Sequence, residues 1–185
     1  TPLYSSAASD VYKRQTVIGT LQAAYTNFKY LQPKWQKNCE DDALLGVSLT
    51  GQAQKWVELQ QWLSDSVVID NMRSVNQDVA SKLGIKPAAR ITTTKPSGST
   101  SAWLGTTSGI HAAHSEYYIR RVRVDVSDPV GKVLSSSDFV ELDKFNAENY
   151  VVSIPVAAPD AITRSEETAT ELMERSKFIY DNWIL

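Results

Sequence analysis

Four consecutive β-branched residues, Ile91-Thr92-Thr93-Thr94, run straight into Lys95-Pro96-Ser97-Gly98-Ser99-Thr100-Ser101. β-Branched side chains favour an extended backbone, and the residue before a proline is kept out of the helical region, so a strand here must end in a turn. The apolar Ala102-Trp103-Leu104 beyond the turn predicts a helix start. Strand, hydroxyl-rich turn and helix N-terminus together make an anion site, because backbone N–H groups, hydroxyls and the positive end of the helix dipole converge. Gly98 lets a bulky phosphate approach the backbone, and Lys95 adds a point charge. The same residues also read as a solvated turn, since neither the P-loop pattern nor G-x-G-x-x-G is present.

Around this stretch, 185 residues at 42% hydrophobic content are enough for one domain with a real core. A net charge of −2 argues against a nucleic-acid or membrane-surface partner. No apolar run approaches the roughly 18–20 residues that span a bilayer, and no signal-peptide pattern opens the chain. The single cysteine, Cys39, excludes an internal disulfide framework and fits a reducing, cytoplasmic setting. Acidic neighbours Glu40, Asp41 and Asp42 oppose thiolate formation, so Cys39 reads as an exposed thiol in a charged connector.

Residues 1–15 read as a leader, non-native or disordered, because Ser5 to Gln15 is similar to translated adapter read-through; the folded domain is expected over 16–185. Val17, Leu21, Ala24, Phe28 and Leu31 recur at helical spacing, with Pro33 as the stop. Leu45 to Gly51 alternates as a strand, and a helix through Trp56, Leu59 and Leu63 follows. Val68, Met72, Val75, Val79 and Leu83 form an apolar stripe closed by Gly84 and Pro87. Tyr117–Val126 is a strand with Val122, Val124 and Val126 on one face and Arg121 and Arg123 on the other, the arginines salt-bridged or solvated. Asp128-Pro129 caps a short helix, and Tyr150 to Val156 is a strand that Pro155 makes edge-like. Thr163-Arg164-Ser165-Glu166 opens a last helix lined by Leu172, Ser176, Ile179 and Trp183. Strands alternating with helices predict an α/β fold with a mainly parallel sheet. His111 and His114 lack a third ligand at metal spacing, so no metal site is expected.

Three motifs stand in order: Thr94 to Ser101, then Ser108-Gly109-Ile110-His111, then Tyr117-Tyr118-Ile119-Arg120-Arg121-Val122-Arg123. Together they strongly resemble the catalytic subunit of ribonucleotide reductases, with the adenosylcobalamin-dependent (class II) ribonucleoside-triphosphate reductases the nearest in look. Gly19 to Ala23, Asn27 to Leu31 and Leu45 to Gly51 resemble further segments of that family. Ser99 stands where the family commonly has threonine, so the hydroxyl is kept.

The resemblance implies that 16–185 is part of the family's ten-stranded α/β barrel. It implies an enzyme that reduces ribonucleoside triphosphates to 2′-deoxyribonucleotides by thiyl radical chemistry. Adenosylcobalamin would be the cofactor, and a thioredoxin-type reductant the partner. Ser97, Gly98, Ser99, Thr100 and Ser101 would hold the substrate phosphates, with Lys95 and His111 near the substrate. One cysteine cannot supply both a radical thiol and a redox pair, and the family's Asn-Pro-Cys-Gly-Glu-like loop is missing. The chain is therefore expected to be a fragment with no catalytic residue of its own, inactive alone. Two alternatives stay open: a non-catalytic nucleotide-phosphate-binding module, and a piece of an iron-dependent (class I) ribonucleoside-diphosphate reductase.

Overall fold

A computed structural model describes residues 3–184, with side chains from Asp10 onward. Thr1 and Pro2 of the expected leader and Leu185 lie outside the described residues. The helices are α1 (Leu3–Ala23), α2 (Pro33–Asp42), α3 (Trp56–Leu63), α4 (Val67–Leu83), α5 (Thr100–Leu104), α6 (Pro129–Leu134) and α7 (Ala169–Ile179). A π-helical turn, Tyr180–Ile184, extends α7. Strands β1 (Tyr117–Asp125), β2 (Val140–Leu142) and β3 (Asn149–Ala157) form one sheet in the order β1-β3-β2.

The mixed α/β class is as expected, but the regular sheet is antiparallel throughout. The two segments read as parallel strands do run parallel: Val47 bridges Thr92, with Val47 N–H donating to the Ile91 carbonyl (3.0 Å) and Thr93 N–H to the Val47 carbonyl (2.9 Å). They are joined by α3 and α4, the long crossover that parallel pairing needs. β2 and β3 are joined by a short turn, which permits only antiparallel pairing. Pro155 sits in the central strand, not at an outer edge. It is tolerated because β2 pairs β3 only as far as Val152. Ser153 N–H points to that side, donating to the Phe139 carbonyl (2.9 Å), so the absent N–H of Pro155 faces the open flank beyond it.

The helix boundaries shift in informative ways. α1 stops at Ala23, and Leu21 and Leu31 of the expected stripe are exposed. The buried face of α1 is polar instead: the Thr16 and Thr20 hydroxyls donate back to the carbonyls of Tyr12 (2.8 Å) and Thr16 (2.7 Å). Asn76 Nδ2 of α4 donates to Thr20 Oγ1 (2.9 Å), and Asn76 Oδ1 accepts from Ala88 N–H (2.8 Å). Every polar group in this helix contact thus has a partner, which is the condition for burying it. Small threonines let the two helices approach closely, where leucines would hold them apart. On α4 the buried set is Val68, Met72, Asn76 and Ala80, and Leu83 is exposed. Pro33, read as a stop, occupies the first turn of α2, where its missing N–H costs nothing. α7 begins after Thr168, which forms a capping box with Glu171, five residues later than expected. Thr163 and Glu166 pair with each other in a separate turn, satisfying the same groups without starting a helix.

The core gathers Leu45, Val47, Leu49, Leu63, Val68, Met72, Ile91, Ile179 and Trp183. The boundary expected at Thr16 falls inside α1, and Tyr12 packs on this core against Trp62 (5.0 Å between ring centroids) and Trp183 (5.5 Å). Burial pushes the Tyr12 phenol from 10.0 up to about 12. A raised phenol keeps its neutral form in the fold, so its contribution is intact below pH 10 and is lost as pH rises through about 12. Tyr12→Phe, which has no proton to lose, is expected to flatten the fall in melting temperature between pH 10 and 12. Parallel thermal melts of the two proteins check this, and an unchanged slope would show that Tyr12 is solvated.

Candidate phosphate-binding cleft

Alternation in the segment after α2 sends Leu45, Val47 and Leu49 into the core, so Gly46, Ser48 and Thr50 face the other way. They form the floor of a cleft of about 320 Å³. Lys95, Pro96, Ser97 and Thr100 make one wall, and Gln15, Ile18, Gly19 and Gln22 of α1 make the other. The Ser48 hydroxyl accepts from Lys95 N–H (3.3 Å), which ties floor to wall. The second small-residue loop is stitched to the same place. Thr50 Oγ1 donates to the Thr107 carbonyl (3.1 Å) and accepts from Gly109 N–H (3.0 Å), while the Ser97 and Ser108 hydroxyls meet at 2.9 Å.

The residues singled out from the sequence divide into groups. Lys95, Ser97 and Thr100 line the cleft. Gly98 and Ser99 sit at the exposed apex of the turn, Gly98 with φ +56°. Ser101 is buried, with its hydroxyl accepting from that of Ser97 (2.8 Å), so it braces the turn instead of facing the cleft. α5 is only five residues long and Ser99 does not cap it with its side chain, so the helix dipole adds little. The donors available to an anion are the N–H groups of Ser97, Gly98 and Ser99, which have no acceptor among the described residues, together with exposed hydroxyls and the Lys95 ammonium. His111 is exposed and does not line the cleft.

Charge decides what the cleft suits. Its lining contains one cation, Lys95, and no carboxylate. Lys95 forms no ion pair with any described residue, whereas Lys37, Lys82, Lys86 and Lys177 all do. By contrast Arg123, on the strand where an arginine face was anticipated, is paired with Asp143 and holds that carboxyl below its usual range. Gly46, Ser48 and Thr50 belong to a segment that carried the family resemblance but was given no site role, yet the period-2 alternation of Leu45 to Thr50 already places them on one face. Gln15 and Gln22 carried no such signal, because only the packing of α1 brings them to the cleft. Among the described residues there is no cluster of three metal-ligating side chains, and no helix is long and apolar enough to cross a membrane.

No protein-family model matches the chain. It is 33% identical over 104 residues to the adenosylcobalamin-dependent ribonucleoside-triphosphate reductase of Levilactobacillus brevis, covering 56% of this chain and 14% of that one. It is 27% identical over 180 residues to a Dictyostelium discoideum protein described as a probable reductase of the same kind, covering 94% of this chain and 22% of the relative. The Euglena gracilis adenosylcobalamin-dependent reductase is 29% identical over 147 residues, 75% of this chain and 20% of its own. The chain therefore spans about a seventh to a fifth of these curated relatives. A crystal structure of a B12-dependent (class II) ribonucleotide reductase superposes with a TM-score of 0.67 at 17% identity, over 80% of this chain and 26% of that one. The expected resemblance thus stands: the chain is similar in sequence to the adenosylcobalamin-dependent ribonucleoside-triphosphate reductases and has the fold of part of the class II enzyme.

Proposed function

We propose that this chain supplies the substrate-phosphate wall of the catalytic barrel in a reductase that converts ribonucleoside triphosphates to 2′-deoxyribonucleotides. The observation that supports it best is the cleft itself, with one unpaired ammonium, hydroxyl groups and no carboxylate. Turn amides, hydroxyls and Lys95 bind and orient the phosphates, holding the ribose at a fixed distance from the turn. Cys39 is exposed on α2 and does not line the cleft, so it is not the thiol that meets the sugar. A single cysteine also cannot serve as radical carrier and dithiol donor together, so turnover needs further thiols and a thioredoxin-type reductant.

The named relatives are adenosylcobalamin-dependent, and that cofactor would supply radical initiation. Contacts to the cofactor are not assigned to the residues of this chain.

The apex of the turn provides the test. Gly98 has open space around a Cβ, so a side chain would not clash with the protein, but φ +56° strains any L-residue there. Gly98→Val is expected to weaken calorimetric binding of inorganic tripolyphosphate about tenfold, the equivalent of the roughly 1–2 kcal/mol cost of a left-handed residue. Ser99→Ala, which removes one hydroxyl at the apex, should cost less. Wild-type affinity in both folded variants would reduce the turn to a solvated loop.

A further inference from the structure

Gly46 is not explained by its backbone. It lies in an extended segment without a positive φ, where glycine weakens a strand and any larger residue could be accommodated. It is also exposed, so tight core packing does not require it. What a side chain at 46 would meet is Lys95 Nζ, 3.4 Å from an added Cβ, with the Thr93 methyl at 3.9 Å. The Lys95 stem thus runs back across the floor of the cleft and lays its ammonium over the glycine. Ser48 Oγ holds the backbone N–H of the same lysine at 3.3 Å, so both ends of Lys95 are referenced to the segment 46–48.

We infer that Gly46 is a positioning residue for an oxyanion ligand: its missing side chain keeps the Lys95 ammonium low in the cleft, facing a bound phosphate group. This rests on the phosphate-binding reading above and adds to it the part of the floor that sets where the charge sits. A branched side chain at 46 would lift the ammonium out of the cleft and cover the surface that a phosphate oxygen needs. Lysine is a flexible point charge, so its location must be imposed by what it rests on.

Calorimetric titration of the full chain with inorganic tripolyphosphate, at several salt concentrations, tests this. Lys95→Met is expected to weaken binding about tenfold, the scale of losing a hydrogen bond to a charged group, and to flatten the salt dependence. Gly46→Val should reproduce both effects, and the double variant Gly46→Val/Lys95→Met should bind no worse than Lys95→Met alone. Losses that multiply in the double variant would overturn the inference, as would a Gly46→Val protein with wild-type affinity and salt slope. Should the valine variant unfold, Gly46→Leu, whose side chain extends beyond the Cβ into the space the ammonium occupies, must show the same flattening; a wild-type slope there also overturns it. Failure of the wild type to bind tripolyphosphate would remove the phosphate reading and this inference with it. Weak binding by Lys95→Met alone, with Gly46→Val unaffected, would remove only the role of Gly46.

Discussion

Trp183→Ala is expected to destabilise the protein by about 3–5 kcal/mol, the range for truncating a fully buried aromatic side chain. Trp183 has no exposed surface, and its ring packs near Tyr12 and Trp62. Its indole Nε1–H donates to the Thr93 carbonyl (3.2 Å), and its own carbonyl accepts from the Thr92 hydroxyl. A single residue of the π-helical turn after α7 therefore clamps the β-branched segment that leads into the phosphate turn. Truncation opens a cavity between α1, α3 and that segment and leaves the Thr93 carbonyl without its indole partner. Urea denaturation of the folded chain reads the loss as a fall in midpoint at constant slope. Trp183→Phe keeps most of the area but not the N–H, and should fall between the two. A cost below about 1 kcal/mol for the alanine variant, the level of a surface change, would mean that Trp183 is not at the centre of the core.

The second large effect is expected at Arg175. Its side chain is 3% exposed and is ion-paired with Glu167, itself 8% exposed. The guanidinium Nε–H donates to the Ile110 carbonyl (3.1 Å), and its carbon lies 5.6 Å from the Trp56 ring centroid. Arg175→Met keeps much of the volume but leaves the Glu167 carboxylate buried without a countercharge. Removing one partner of such a pair costs about 3–5 kcal/mol, whereas removing both is often close to neutral. The double variant Arg175→Met/Glu167→Gln is therefore expected to recover a large part of the loss in the same urea measurement. Equal stabilities for the single and double variants would show that Glu167 reaches solvent. Ile110 follows Gly109 and Ser108 in the loop that meets the Ser97 hydroxyl, so the single variant should also loosen the cleft.

Local order was legible in the chain wherever one segment carries its own instruction. Four β-branched residues before Lys95-Pro96 had to be extended and then turn, and they do. Asp128-Pro129 announced α6, and the Asp128 carboxylate accepts from Val130 N–H (2.7 Å) as such a cap should. Gly84 ends α4 at φ +70°, a conformation that glycine enters without a Cβ clash. The alternation of Leu45 to Thr50 contained both the core face and the cleft floor. These signals are short-range steric and hydrogen-bonding preferences, and they act within a few residues whatever the rest of the chain does.

The partners of those segments were decided elsewhere. The apolar stripe of α1 reads as the buried face, yet Asn76 on α4 donates to Thr20 and the Tyr12 carbonyl accepts from Thr16, so the two threonines are buried in its place. Tyr12 lies in the stretch read as a leader, and only Trp62 and Trp183, far away in sequence, make its position a core one. Within the phosphate turn, five small residues looked equivalent as donors. Packing against Ser108 and the 45–50 segment turned Ser101 inward, left Gly98 and Ser99 at the apex, and put Lys95 over Gly46. Periodicity ranks residues by hydrophobicity along one element, but burial depends on whether a residue on another element satisfies its polar atoms and fits its volume. That information exists only once the elements are packed together.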